Sequence, residues 1–314
     1  MRLASISIDL DPLPHYCRIH GLDEAMLDER ARRLAHEVAI PRYLEVLDGL
    51  GLKATFFAIG ADLGERQNVR SVREAHAAGM EVGNHSLSHD YALSRRGRAE
   101  IDAEVARGEE AIRTAIGERP LGFRAPGYTL SGELYRALAD RGYEYDSSTF
   151  PAAPYYCAKL AVLAALRLAG RPSGAILDSP RVMLAPRRAY RPDPSNPYAR
   201  GKGSVLELPI ATTPLARLPF IGTFALALPE PAVRAAYLAL RREPHLNFEL
   251  HAIDLLDASD GIPPALAARQ RDLRIAARAK ASRLRAVLGW IREDFQTVTL
   301  LEAARRLVPE QSAP

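Results

Sequence analysis

Asp9, Asp11, His85, His89, Arg124 and His251 are the side chains in this sequence best suited to hydrolytic chemistry, and each follows a short apolar run. His85 and His89 stand four apart in Gly83-Asn84-His85-Ser86-Leu87-Ser88-His89-Asp90, where glycine, asparagine and serine mark a loop or a helix start. Neutral imidazole is the commonest metal ligand in proteins, and this spacing lets two rings aim at one point. One carboxylate with two imidazoles makes a three-ligand set with open positions, as in catalytic rather than structural metal sites. Asp11, His85 and His89 are therefore assigned as ligands of a divalent ion. Asp9 is then free to take a proton from water made acidic by that ion, and Arg124 can pair with Asp9 to keep it ionised and aimed. His251, held protonated near neutral pH by a neighbouring carboxylate, is the candidate acid. Such a set suits attack of water on an amide carbonyl, with the departing amine protonated by His251. Each residue also has an ordinary reading. Asp-x-Asp can cap a turn, an arginine can sit on the surface, and a lone strand-end histidine can be structural. Their joint occurrence, each after a strand, favours the chemistry.

The elements that must position these groups alternate. Leu3 to Ile8 reads as a buried strand ending in Asp9-Leu10-Asp11, and strand alternation places those two carboxylates on one side. A Pro-rich loop is expected from Pro12 to Gly21, carrying His15, Cys17 and His20, and then helix from Asp23 to about Gly49 with a second segment starting at Pro41. Lys53–Ile59, Glu81–Gly83, Leu121–Phe123, Tyr143–Tyr145, Val205–Leu208, Leu246–Leu250 and Thr297–Leu300 read as further strands. Helices are expected near 69–78, 96–116, 132–141, 229–242 and 264–292, with a closing helix after the last strand. The charged side chains of the 96–116 helix are read as a solvated face. Polar residues repeatedly follow the strands, which is the grammar of a parallel α/β sheet or barrel with its site at the C-terminal strand ends.

Composition sets outer limits. A chain of 314 residues with 47% hydrophobic and 25% charged residues can bury a large core. A net charge of +4 and a pI near 9.1 are mildly basic, too little without clustering to indicate nucleic acid. Two cysteines without framework spacing suggest a reducing compartment, although one disulfide remains open. The first residues lack the shape of a signal peptide, and no window reaches the roughly 18 apolar residues of a spanning helix. A cytoplasmic location is expected.

In order and spacing, the motifs resemble the polysaccharide deacetylases with NodB homology, carbohydrate esterase family 4. Ser7-Ile8-Asp9-Leu10-Asp11 is similar to the first motif in its spaced peptidoglycan-deacetylase-like form. Asn84-His85-Ser86-Leu87-Ser88-His89 resembles the metal motif, and Phe123-Arg124-Ala125-Pro126-Gly127-Tyr128 the arginine motif. Tyr145-Asp146-Ser147-Ser148 and Leu250-His251-Ala252-Ile253-Asp254 resemble the fourth and fifth. The match covers about residues 3–150 and 203–300. It implies a distorted (β/α) barrel of about seven strands, a divalent metal often found to be zinc (with Fe, Co, Mn or Ni as alternatives), and N-deacetylation of an amino sugar in a glycan or glycolipid. It also implies Asp9 as base, Asp11, His85 and His89 as metal ligands, His251 as acid, Arg124 as a further catalytic residue, and supporting or substrate roles for Gly127, Tyr128, Asp146 and Asp254. Two departures stand out. Gly127 occupies the place of a motif tyrosine, with Tyr128 one residue later; the family uses the backbone N–H there for the oxyanion, so Gly127 can serve. Thr149-Phe150-Pro151 replaces a motif tryptophan.

The whole chain is expected to be one barrel domain with an insertion at about 151–202. The bland reading of that insertion is a segment packed over the barrel. A sharper one joins the apolar Ala158–Ala169 helix to the arginines of 181–202 as a contact for a membrane surface or an anionic lipid-linked sugar, across 158–202. The family includes a branch that deformylates a polyprenyl-phosphate-linked sugar. Two rival functions remain: a non-haem iron oxygenase, which leaves Asp9, Arg124 and His251 without roles, and a carbohydrate-binding pseudoenzyme, which needs neither base nor acid.

Overall fold

A computed structural model describes residues 2–168, 170 and 173–307. Eight parallel strands form its main sheet: β1 (Leu3–Asp9), β2 (Thr55–Ala58), β3 (Glu81–Asn84), β4 (Gly122–Phe123), β5 (Tyr145–Asp146), β6 (Leu206–Glu207), β7 (His245–His251) and β8 (Gln296–Thr297). Seven run in the order β8-β1-β2-β3-β4-β5-β6, and β7 pairs with β1. The sheet curls into the expected distorted (β/α) barrel. Its opening between β6 and β7 is bridged by the segment after β6, where the Ala211 N–H donates to the Asn247 carbonyl and Ile221 bridges to Glu249.

Alternation along two strands decides what lies inside. β1 sends Ala4, Ile6 and Ile8 into the largest apolar cluster, and β7 sends Leu246, Phe248 and Leu250 into the same cluster. The other faces carry Ser5, Ser7 and Asp9, and His245, Asn247, Glu249 and His251. Ser7 donates to Asn247 Oδ1 at 2.9 Å, and Asn247 Nδ2 donates across the barrel to Ser147 Oγ at 2.9 Å and the Leu208 carbonyl at 3.1 Å. These interior groups are thus paired, as burial in a low dielectric demands. Registers align the strand ends: Asp9 faces His251 on one side and Phe57 on the other, Asn84 faces Phe123, and Asp146 faces both Phe123 and Glu207.

Several local expectations are corrected. The Pro12–Gly21 loop contains a helix, Leu13–His20, started by the proline pair and stopped by Gly21 in a left-handed conformation. Helix from Asp23 is delayed to Glu29, capped by Asp28, and has a π-helical turn at Ala35–Ala39. The long 264–292 helix is three pieces, Pro264–Arg269, a 3-10 turn at Arg271–Arg274 and Ala277–Asp294. Buried Lys280 enforces the break by donating to the carbonyls of Ile253, Leu256 and Asp272, while Asp257 caps Ala277 N–H. Most of these partners are distant in sequence. Both cysteines are free, Cys17 buried and Cys157 exposed.

The insertion divides likewise. Its helix begins earlier than expected, at Ala153, runs to Leu168 and has no buried residue; Ala169, the expected end, lies outside the described residues. The arginines expected to face an anionic surface are largely engaged by the protein itself. Arg187 and Arg188 pair with Glu243, Arg191 donates to the carbonyls of Gly203 and Ser204, and Arg200 lies over the Tyr190 ring. Leu160, Val162 and Leu168 of the helix are exposed, whereas these arginines are satisfied inside the fold. Among the described residues no helix is long and apolar enough to cross a membrane.

Candidate active site

The His85/His89 loop leaves β3 and is held by the helix Arg98–Ile116. Asn84 Nδ2 donates to the Val105 carbonyl and to Tyr143 Oη, and Ser88 N–H and Oγ donate to Glu104. Glu104 therefore anchors the loop rather than merely facing solvent. Gly108 permits the approach, since a Cβ there would stand 2.5 Å from Asn84 Oδ1. Ser86 and His89 adopt positive φ of 65° and 55°, and Ser86 Oγ accepts from the His89 N–H. Such strain at non-glycine residues gathers at functional sites because the surrounding contacts over-determine it.

This loop delivers His85 Nε2 to 3.4 Å and His89 Nε2 to 3.2 Å from Asp11 Oδ1. His85 Nδ1 donates to the Arg124 carbonyl at 2.7 Å, which leaves the Nε2 lone pair facing Asp11. His89 has no hydrogen-bond partner on either ring nitrogen, and Asp11 Oδ1 has none either, though all are buried. A cation coordinated by these atoms satisfies them; otherwise each carries a desolvation cost. Burial disfavours charge on Asp11, yet the two imidazoles outweigh it and hold the carboxyl well below its usual range. Burial lowers the His89 pKa below the imidazole norm, favouring the neutral, ligating form. The donor set fits a divalent ion.

Arg124 is wholly buried beside it. Nη1 donates to Asp9 Oδ1 at 2.7 Å, Nε to the Ser147 carbonyl at 2.8 Å, and Nη2 to Ser7 Oγ and Ser147 Oγ, with the guanidinium 4.3 Å from the Phe57 ring centroid. Asp9 Oδ2 is left buried and unpartnered, 3.8 Å from His85 Nε2. Across the barrel, His251 Nδ1 lies 3.0 Å from Glu249 Oε1, and Tyr128 Oη is 2.9 Å from His251 Nε2 and 3.1 Å from Glu249 Oε1. Burial opposes a charge on His251, but the Glu249 carboxylate overcomes it and raises the ring well above its ordinary pKa. Asp9, Asp11, His85, Gly127, Tyr128 and His251 all line one cavity of about 440 Å³.

Two expected supporting carboxylates stand behind the site. Asp254 accepts the His251 backbone N–H and shapes the turn, but does not touch the ring. Asp146 accepts from Ser148 Oγ, whose oxygen accepts the Ala125 N–H, so it braces the arginine loop. The carboxylate that does hold His251 is Glu249, a residue with no role assigned from sequence. Its signal was the two-residue offset from His251 on a strand, which puts both on one face. His15 was also missed as a site residue. Its ring packs 4.2 Å from that of His89, and burial together with His89 pushes its pKa down to about 2, so it stays neutral. Its helix was not expected.

Gly127 has φ of 65°, and a Cβ there would lie 2.6 Å from Tyr91 Cδ1. Gly127→Ala is therefore expected to cost about 1–3 kcal/mol of stability through backbone strain, read as a lowered denaturation midpoint. An unchanged midpoint would show that the loop relaxes freely.

The polysaccharide deacetylase family model matches residues 33–145. A peptidoglycan deacetylase of Helicobacter pylori is 28% identical over 156 residues, 49% of this chain and 52% of that protein. A chitooligosaccharide deacetylase of Sinorhizobium fredii is 35% identical over 106 residues, 33% of this chain and 48% of that one. The chain thus spans about half the length of these curated relatives. In fold it is similar to a Mycobacterium smegmatis protein assigned to the polysaccharide deacetylases, with a TM-score of 0.62 at 18% identity, covering 99% of this chain and 92% of that one.

Proposed function

We propose that this chain, which the polysaccharide deacetylase family model matches over residues 33–145, is a metal-dependent hydrolase that removes an N-acetyl or other N-acyl group from an amino sugar of a glycan or glycoconjugate. The observation that carries the reading is the convergence of unpartnered Asp11 and His89 donor atoms, with His85 Nε2, on a cavity that Asp9 and His251 also line. Asp11, His85 and His89 would hold the ion, zinc being the first choice for a two-imidazole, one-carboxylate set. When bound, the ion supplies Lewis acidity and lowers the pKa of water. Asp9 Oδ2 accepts the proton of the attacking water, while Arg124 fixes the other carboxylate oxygen. The Gly127 N–H is assigned to the carbonyl oxygen as it gains charge. His251 then protonates the departing amine, leaving a free amino sugar and a carboxylate.

Metal analysis and amine release test this together. Purified protein should carry zinc and release free amine from N-acetylglucosamine oligomers. His85→Ala should lose both metal and activity, and chelation should abolish turnover until metal is restored. Stoichiometric metal with no amine release from any N-acyl sugar would favour the binding-only alternative.

The pH profile is set by His251. A ring held above its ordinary pKa by Glu249 stays protonated at neutral pH and becomes deprotonated only at alkaline pH. Activity should therefore fall on the alkaline side. Removing the Glu249 charge removes what raises the pKa, so Glu249→Gln should move that limb to lower pH. An alkaline limb that does not move would remove Glu249 from this role.

A further inference from the structure

Both ring nitrogens of His251 are engaged. Nδ1 lies 3.0 Å from Glu249 Oε1, and Nε2 lies 2.9 Å from Tyr128 Oη, which is itself 3.1 Å from Glu249 Oε1. The imidazole therefore has no free nitrogen to turn toward a leaving group. Tyr128 and His251 line the same cavity.

Tyr128 follows Gly127 in a single turn, Pro126–Tyr128, and the two residues hold positive φ of 62° and 65°. A bulky side chain on left-handed backbone is strained and persists only where its contacts over-determine it. The contacts here are the two bonds of the hydroxyl and the packing of the ring on Phe150 at 5.6 Å. A phenol can accept and donate at once. While the imidazole is charged, Nδ1–H donates to Glu249 and Nε2–H to Tyr128 Oη, so the phenol proton faces Glu249 or the cavity. Once the imidazole is neutral, Nδ1 keeps its proton on Glu249 and the phenol donates to Nε2 instead. Rotation of one O–H bond serves both states of the ring.

We propose that Tyr128 is a catalytic residue, which passes the proton of His251 to the departing amine. This rests on the hydrolase reading and adds a step to it. The nitrogen and oxygen of an amide share one carbon, so a carbonyl oxygen held at the Gly127 N–H brings its nitrogen toward the next side chain. As the C–N bond breaks, its electron pair goes to nitrogen, which takes the Oη proton, and Oη takes the Nε2 proton of His251. The negative charge of the tetrahedral oxyanion and the positive charge of the imidazolium cancel, and the ring is left neutral on Glu249. Burial holds the Tyr128 phenol well above its ordinary pKa, so the hydroxyl gives up a proton only as it receives one. The two transfers are therefore concerted.

Tyr128→Phe keeps the ring against Phe150 and removes only the hydroxyl. In this variant amine release from N-acetylglucosamine oligomers should fall about a hundredfold more than hydrolysis of para-nitrophenyl acetate, the scale of a positioned general acid, since an amine must leave protonated and a nitrophenolate need not. In mixtures of light and heavy water, native amine release should curve with deuterium fraction because two protons move together, and Tyr128→Phe should give a straight line. Equal losses on amide and ester mark a structural role and overturn the relay. Undiminished amine release in the variant overturns it as well, and shows that His251 Nε2 meets the amine itself. A straight line for the native chain, a measurement that needs no variant to fold, overturns the relay and reduces Tyr128 to a positioning residue. Each of these results leaves the hydrolase reading intact, whereas a native chain that releases no amine from any N-acyl sugar overturns both.

Discussion

Asp9→Asn is expected to lower deacylation by about a thousandfold, the usual scale for loss of a positioned general base, with metal content unchanged. The expectation comes from the division of labour between the two aspartates. Asp11 Oδ1 lies 3.4 and 3.2 Å from the His85 and His89 imidazoles, whereas Asp9 is turned toward Arg124 by the 2.7 Å bond to Oδ1. Asparagine keeps the shape and can still accept from Arg124, but its amide cannot take a proton from water at neutral pH. Elemental analysis separates the two roles. Metal lost together with activity would make Asp9 a ligand, and full activity would sink the proposed mechanism.

Arg124→Leu should destabilise the fold by about 3–5 kcal/mol, the cost of breaking a buried ion pair by removing one partner. Arg124 has no solvent exposure and joins β1, through Ser7 and Asp9, to the loop after β5, through Ser147. Leucine leaves the Asp9 carboxylate buried without its cation and leaves the Ser147 carbonyl and two hydroxyls short of a donor. The loss should appear as a lower urea midpoint. It should exceed that of Asp9→Asn, because asparagine leaves the arginine an acceptor. Comparable midpoints for Arg124→Leu and the native chain would mean that water or a rearranged side chain replaces the guanidinium.

The candidate site was legible to the extent that its residues lie at strand ends. β1 and β7 bring Asp9 and His251 into register, and the Asn84–His89 loop carries both histidines at readable spacing. Glu249 was missed because it lies inside β7 rather than at its end, although the alternation that placed Asp9 applies equally there. His15 gave no usable signal. Its role depends on a helix begun by Pro12 and Leu13 in a stretch whose prolines read as loop, and on contact with a loop some seventy residues away.

The chain order of strand and helix, the polar groups at strand ends and the Asp-x-Asp and His-x3-His spacings are determined by the sequence itself, because they depend on local periodicity. Tertiary structure alone decided the breaks near Lys280, the engagement of the insertion's arginines by Glu243 and backbone carbonyls, and the use of Glu249 rather than Asp254 against the His251 ring. Each of these is a choice of partner for a buried or half-buried polar group. Such partners come from segments far apart in the chain, or differ by a single turn of backbone, so periodicity carries no record of them.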